Sequence, residues 1–348
     1  MKYPIPQALL LFILISATPA LAQHGFLDAY NGASTCLQCH AGAAAEVMGT
    51  IHWTWEMTDS HTGKEVGKIN VINNYCIAVP SNEPRCTSCH IGVGWADNTF
   101  DFSDSSQIDC LVCHDQTGTY KKVPTGAGAP DPSVDLLAVA RSVGKPTRNN
   151  CGTCHFYGGG AEGVKLGTMD SSLLEPSAQV DVHMGRGDFA CTRCHNPDSG
   201  NPHAVLGSRY SQAQADHVMC QDCHGAEPAG HSSILNSHSQ RVACQTCHIP
   251  AMARGGKPTK TFWDWTTAGE KNPDGSDKTV VDENGYVVYQ TKKGTFEWDE
   301  NIIPEYRWFN GNVTHVTLED PVMQGEVVVI NQLHGDLDDS SARIFPVK

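Results

Sequence analysis

The longest apolar stretch of this chain runs from Ala8 to Ala17, close to the N-terminus. It is too short to span a bilayer as a helix. Met1-Lys2 precede it and the small residues Ala20 and Ala22 follow, which is the pattern of a secretory signal with Gln23 as the first mature residue. Residues 1–22 are therefore expected to be a signal peptide; a retained membrane anchor is the competing reading. No later segment is long and apolar enough to span, so no membrane span is expected after signal cleavage. The final hundred residues show a different pattern. Thr279 to Asp282 and Tyr286 to Lys292 are β-rich runs separated by Glu283-Asn284-Gly285, which signals a hairpin.

Between these ends the chain repeats Cys, two residues, Cys, His seven times: Cys36-Cys39-His40, Cys86-Cys89-His90, Cys110-Cys113-His114, Cys151-Cys154-His155, Cys191-Cys194-His195, Cys220-Cys223-His224 and Cys244-Cys247-His248. This is the attachment signature of c-type haem. The two thiols form thioethers to the porphyrin and the His points its imidazole at the iron. Structural zinc also uses C-x-x-C pairs. However, His makes up 17 of 348 residues, so chance puts one after a given Cys about one time in twenty. Seven in seven is not chance, and neither zinc ribbons nor disulfide scaffolds require that adjacency. Seven covalently attached haem c groups are expected, and with them redox chemistry.

Haem attachment outside the cytoplasmic membrane agrees with the export signal and points to a periplasmic location. Removing residues 1–22 takes away Lys2 and leaves 23 basic against 38 acidic residues, a formal charge of −15. Nucleic acid and anionic membrane surfaces are therefore excluded as favoured partners, whereas a basic-faced redox partner fits. Motif starts are spaced 24 to 50 residues apart with no fixed period, so the chain is not a solenoid of equal units. The longer gaps, before Cys86, Cys151 and Cys191, are where a substrate pocket has chain to spare. Roughly thirty residues per haem cannot build a conventional core, so the porphyrins must supply buried apolar surface. The 33 Gly and 19 Pro suit a chain that turns tightly around flat cofactors. The expected architecture is mainly α with a high loop content: a multihaem cytochrome c domain at 23–250 wrapped around stacked haems, and a small β-containing, haem-free segment at 251–348 packed on it. Phe262, Trp263, Trp265, Phe296, Trp298, Tyr306, Trp308 and Phe309 are expected to cover haem edges or seal that segment against the haem core.

Low-spin haems take two strong axial ligands, whereas a catalytic haem needs an accessible site. Besides the motif residues His40, His90, His114, His155, His195, His224 and His248, ten His remain. His52, His61, His183, His203, His217, His231 and His238 are interleaved with the motifs and are the favoured distal ligands. His24, at the mature terminus, ranks below them, as do His315 and His334. Ten exceeds seven, so counting alone permits every iron to be bis-histidine.

One cysteine, Cys76, lies outside the motifs, in Asn73-Asn74-Tyr75-Cys76-Ile77-Ala78-Val79-Pro80-Ser81-Asn82-Glu83-Pro84-Arg85, directly before the second motif. An unpaired Cys in an exported protein is a reactive thiol, an intermolecular link or a buried bystander. This stretch closely resembles the octahaem tetrathionate reductase family of multihaem cytochromes. Further passages that resemble it are His52-Trp53-Thr54-Trp55, Phe156-Tyr157-Gly158-Gly159-Gly160 after the fourth motif, Ile249-Pro250 after the seventh, and Trp308-Phe309-Asn310-Gly311. The resemblance implies that the second haem has a lysine amine as axial ligand, at the position of Lys165, with Cys76 beside it. A lysine binds iron only as the neutral amine, which burial favours. Whether Lys165 replaces His90 or binds opposite it is left open. The family has eight haems, the last beyond where this chain stops at Val347-Lys348. A shortened member, a fragment and one part of a split gene product are the readings that remain.

What the resemblance implies is a periplasmic reductase in which tetrathionate takes up two electrons and splits into two thiosulfates at the haem of Cys86 and Cys89. Nitrite or hydroxylamine are alternative substrates. Cys76, Lys165 and Arg85 are the expected catalytic residues, with Arg85 and Lys165 providing positive charge for a small inorganic anion. The electron donor is expected to be a redox-partner cytochrome or a quinol-oxidising membrane protein. The rival is a pure electron carrier with seven bis-histidine haems, and a conducting filament is a third class that nothing here favours.

Overall fold

The computed structural model describes residues 24–59, 61–72, 78–165, 167–195, 200–205, 218–228 and 230–348; the expected signal peptide lies outside them. Helices account for 26% of the chain and strands for 18%, so the expectation of a mainly α chain is corrected: loops dominate. The longest described helix, Arg148–His155, has eight residues. The helices are short because each does one local task. Cys at i and i+3 and His at i+4 share one helical face, so a single turn presents both thiols and the imidazole together. Such turns are Leu111–His114, Arg148–His155, Thr192–His195, Cys220–His224 and Cys244–His248. At the first motif the backbone N–H of His40 bonds Cys36 O at 3.0 Å, which continues the same turn.

Among the described residues, apolar burial is divided among three small clusters. Leu111, Val112, Tyr120, Val139 and Ala140 form one; Ala33, Trp53 and Ile108 a second; Trp55, Val79 and Trp95 a third.

Ten short strands make up the β content of the described residues. β1 (Met57–Thr58) and β2 (Glu65–Val66) form a small hairpin. The rest lie near the C-terminus: β3 (Thr259–Asp264), β4 (Thr279–Val281), β5 (Val287–Gln290), β6 (Gly294–Asp299), β7 (Glu305–Phe309), β8 (Val313–His315), β9 (Asn331–Leu333) and β10 (Arg343–Val347). An antiparallel sheet has the order β3-β6-β5-β4, and β7 pairs with β10 and β8 with β9. The expected hairpin is β4–β5, with Gly285 at φ 85° in its turn.

This segment is tied to the motif-bearing part by specific bonds. The Ala243 N–H and the Thr246 hydroxyl donate to Ile344 O at 2.9 and 2.8 Å, and the Thr259 hydroxyl donates to Gly163 O at 2.6 Å. Trp263, Phe296 and Trp298 surround the Lys260 ammonium, which lies 3.5 Å from the Phe296 ring centre. Phe309 packs on Phe345, Trp308 faces the Arg241 guanidinium, and Phe262, Trp265 and Tyr306 are exposed.

Candidate haem sites and the second motif

Among the described residues, five motif histidines are seen to face a second imidazole. The ring centres of His40 and His24 are 6.0 Å apart, those of His155 and His52 6.1 Å, His114 and His203 6.2 Å, His224 and His183 5.9 Å, and His248 and His231 6.2 Å. With metal–nitrogen bonds of about 2 Å and roughly 1.2 Å from each nitrogen to its ring centre, two imidazoles on one metal ion have centres about 6 Å apart. These side chains thus fit an axially bis-histidine iron. Burial lowers His52 to about 4, and it also lowers His114 and His155, which favours the neutral imidazole that metals bind. His24, ranked low in the sequence, stands opposite His40. His61 and His238, ranked high, are exposed and have no imidazole partner among the described residues. His315 Nδ1 faces Asn331 Oδ1 and His334 Nε2 faces Thr314 Oγ1, both in the β8–β9 hairpin. His217 and Cys76 lie outside the described residues.

None of the fourteen motif cysteines is in a disulfide, so the motifs do not form a disulfide scaffold. Thiols of different motifs meet. Cys36 is hydrogen-bonded to Cys110, Cys89 to Cys154, Cys191 to Cys151, and Cys220 to Cys244. The first and third motifs are therefore neighbours, as are the sixth and seventh, while the fourth touches both the second and the fifth.

The second motif departs from the others. Its helix, Glu83–Cys86, gives way to a 3₁₀ turn at Thr87–Cys89, and His90 is extended, at φ −67° and ψ 146°. Thr87, fully buried, donates its hydroxyl to Glu83 O and Trp95 O, which holds the turn in that form. His90 is also fully buried. Its ring lies 5.0 to 6.1 Å from those of Trp53, Trp55, Trp95, Phe100 and Phe102. Nε2 donates to Trp53 O at 2.6 Å, and Nδ1 accepts from the Gly92 N–H at 3.0 Å. Burial lowers its pKa to about 4, consistent with this neutral tautomer. His90, expected as a metal ligand, has both ring nitrogens engaged by the backbone.

The Lys165 stem passes over the glycine run that follows the fourth motif, since a Cβ on Gly158 or Gly159 would meet it at 3.5 or 3.3 Å; its charge acts on His155 of that motif. Two other lysines sit at the second motif. Lys122 donates to His90 O at 2.6 Å and pairs with Asp109 at 3.0 Å, both nearly inaccessible. The Tyr120 hydroxyl donates to the same carboxylate at 2.6 Å. Lys68 donates to Cys86 O at 3.1 Å and lies 4.1 Å from the Trp55 ring centre. Arg85, an expected catalytic residue, is exposed. Lys68 and Lys122 were missed because nothing in their sequence spacing relates them to the second motif.

Three comparisons bear on this arrangement. A family model described as bacterial cytochrome c matches residues 260–348, the part without haem motifs. An uncharacterized protein of Archaeoglobus fulgidus is 24% identical over 223 residues, 49% of this chain and 74% of that one. The crystal structure of octaheme cytochrome c from Shewanella oneidensis is 45% identical, covers 90% of this chain and 70% of that one, and superposes with a TM-score of 0.80. The chain belongs to the octahaem cytochrome c family. This octahaem-type cytochrome therefore has a multihaem cytochrome c fold and binds covalent haem c, consistent with a redox role. No described helix is long and apolar enough to cross a membrane.

Proposed function

We propose that this chain is a periplasmic reductase carrying seven haem c groups, and that the haem attached at Cys86 and Cys89 is its catalytic site. The observation that carries this reading is the withdrawal of His90, which leaves the second motif without its usual ligand while five other motifs present paired imidazoles. Lys165 would hold the haem iron there in place of His90, and the bound haem would supply a site at which substrate is reduced. Bound haem c supplies one-electron storage and transfer. Tetrathionate is the assigned substrate: two electrons enter, the central sulfur–sulfur bond breaks, and two thiosulfates leave with no proton consumed. Arg85 and Lys165 provide positive charge for this dianion, and Cys76 lies close in sequence for attack on sulfur or for shaping the pocket. Nitrite and hydroxylamine are the next substrates to compare. The electrons come from a cytochrome or a quinol-oxidising membrane protein with a basic face.

The five paired imidazoles favour a second reading, a non-catalytic electron carrier. Spin-state spectroscopy of the oxidised holoprotein separates the two. One haem distinct from the rest, and altered in Lys165→Ala, is expected; indistinguishable bis-histidine signals unchanged by the substitution would favour the carrier. Turnover of tetrathionate, nitrite and hydroxylamine by the dithionite-reduced protein then ranks the substrates. An unchanged tetrathionate rate in Cys76→Ser would remove that thiol from the chemistry.

A further inference from the structure

Lys68 and Lys122 lie at the second motif, and with Lys165, beside His155 of the fourth motif, they are not electrostatically equivalent. Lys122 is neutralised by the buried Asp109 carboxylate. Lys165 is the residue assigned to the iron. Lys68 has no carboxylate within ion-pair distance among the described residues; its ammonium is held by a carbonyl and an aromatic face, that is, by Cys86 O at 3.1 Å and the Trp55 ring at 4.1 Å. Both are neutral partners, so the full positive charge remains available to a ligand.

The chain around Lys68 is built to fix it. Gly67 comes so close to Trp55 that a Cβ there would lie 1.9 Å from Trp55 O. The Gly67 N–H donates to Asn70 Oδ1 at 3.0 Å, and Asn70 Nδ2 donates to Glu65 O at 2.8 Å. This turn sets Lys68 against the indole, and its bond to Cys86 O places the charge at the first cysteine of the motif. The Lys68 charge is felt at Cys89 and His90 in the second motif and at His155 in the fourth. It is half-buried, so solvent ions reach it while screening is incomplete.

We propose that Lys68 is the substrate-recognition residue of the second haem: an uncompensated cation, preset by Gly67 and Trp55, that draws a small inorganic oxyanion of sulfur or nitrogen toward that haem. The assignment rests on the preceding proposal for the identity of the site, but its ligand affinity is measured independently of turnover. It also differs from the expected use of Arg85, whose side chain faces solvent.

The test compares holoprotein wild type, Lys68→Gln and Lys68→Arg, titrated in the oxidised state with azide, an anion, and with nitric oxide, a neutral ligand, and followed by haem difference spectra. Removing a nearby unit charge is expected to weaken azide binding roughly tenfold, with Lys68→Arg recovering most of it and nitric oxide affinity little changed. Added salt is expected to weaken azide binding in wild type more than in Lys68→Gln. KM for tetrathionate and nitrite is expected to rise with kcat nearly constant. Unchanged azide affinity, equal weakening of azide and nitric oxide, or no azide response in wild type would each overturn the proposal. A Lys68-dependent azide affinity without turnover of any substrate would instead leave Lys68 in place and remove the reductase reading.

Discussion

His90→Ala separates a structural histidine from a liganding one. The imidazole is fully buried and enclosed by five aromatic rings. The enclosure is tight, since a Cβ on Gly92 would come within 2.8 Å of Nδ1. Truncating a buried aromatic side chain costs about 3–5 kcal/mol. The Trp53 carbonyl and the Gly92 N–H also lose their partners, at about 1 kcal/mol each. With partial relaxation, a loss of about 4–6 kcal/mol is expected, a fall in Tm on the order of 10 °C. The assay is thermal unfolding of the holoprotein, with haem number from intact mass and axial ligation from low-temperature electron paramagnetic resonance. The expected result is a large loss of stability with the haem number and the low-spin signals unchanged. His90→Gln, which keeps one donor and one acceptor, is expected to recover part of the stability with the same spectrum. Conversion of one low-spin haem to high spin in both variants, at little cost in stability, would refute the reasoning and return His90 to the iron.

Lys260 gives a pH dependence of opposite sign to a typical ion pair. Burial, then the charges of Lys293 and Lys348, lower its pKa from 10.5 to about 8. Between these values the unfolded chain is protonated and the folded one is not, so stability rises with pH there. Allowing for solvent screening the gain is roughly 1–2 kcal/mol, and it is expected to vanish in Lys260→Met when urea unfolding is compared at pH 7.5 and 10. Arg148 donates to the carbonyls of Phe189, Leu174 and Met184 and to the Asp188 carboxylate. Arg148→Met is expected to cost about 3 kcal/mol and to open residues 174–189 to limited proteolysis before the rest. Thr259→Val removes the bonds to Gly163 O and from Lys348 Nζ; a loss of about 1–3 kcal/mol and earlier proteolytic release of the C-terminal strands are expected.

Local chemistry was legible in the sequence and spatial order was not. The seven motifs, the β4–β5 hairpin and the loop-rich character follow from residue type and short spacing, because one helical turn or one glycine turn decides each. Helical content was overestimated because the motif turns stop as soon as the cysteines and the histidine are placed. The neighbourhood of motifs is a long-range property: Cys89 meets Cys154 across 65 residues, its carbonyl accepting from the Cys154 thiol at 3.8 Å. No spacing rule encodes that. His24 was undervalued for its position near a terminus, yet its ring stands 6.0 Å from that of His40. His61 and His238, favoured for their interleaving with motifs, are exposed, because position along the chain does not set the direction of a side chain.

The exception at the second motif has a physical cause that was partly visible. A motif imidazole has two competing partners for Nε2, an iron and a backbone carbonyl, and the local fold decides which one it reaches. At the other described motifs a helical turn carries the His on the same face as the two thiols. At the second, Thr87 bonds both Glu83 O and Trp95 O, the turn tightens, and the ring is delivered into apolar surroundings where Trp53 O waits at 2.6 Å. A buried neutral imidazole with both nitrogens bonded is a stable arrangement, and removing it to reach an iron would leave a carbonyl and an N–H unpaired. The signal was the aromatic density flanking this one motif: Trp53, Trp55, Trp95, Phe100 and Phe102 lie within fifty residues of chain. If His90 is withdrawn from the metal as proposed, these five rings form the enclosure that holds it.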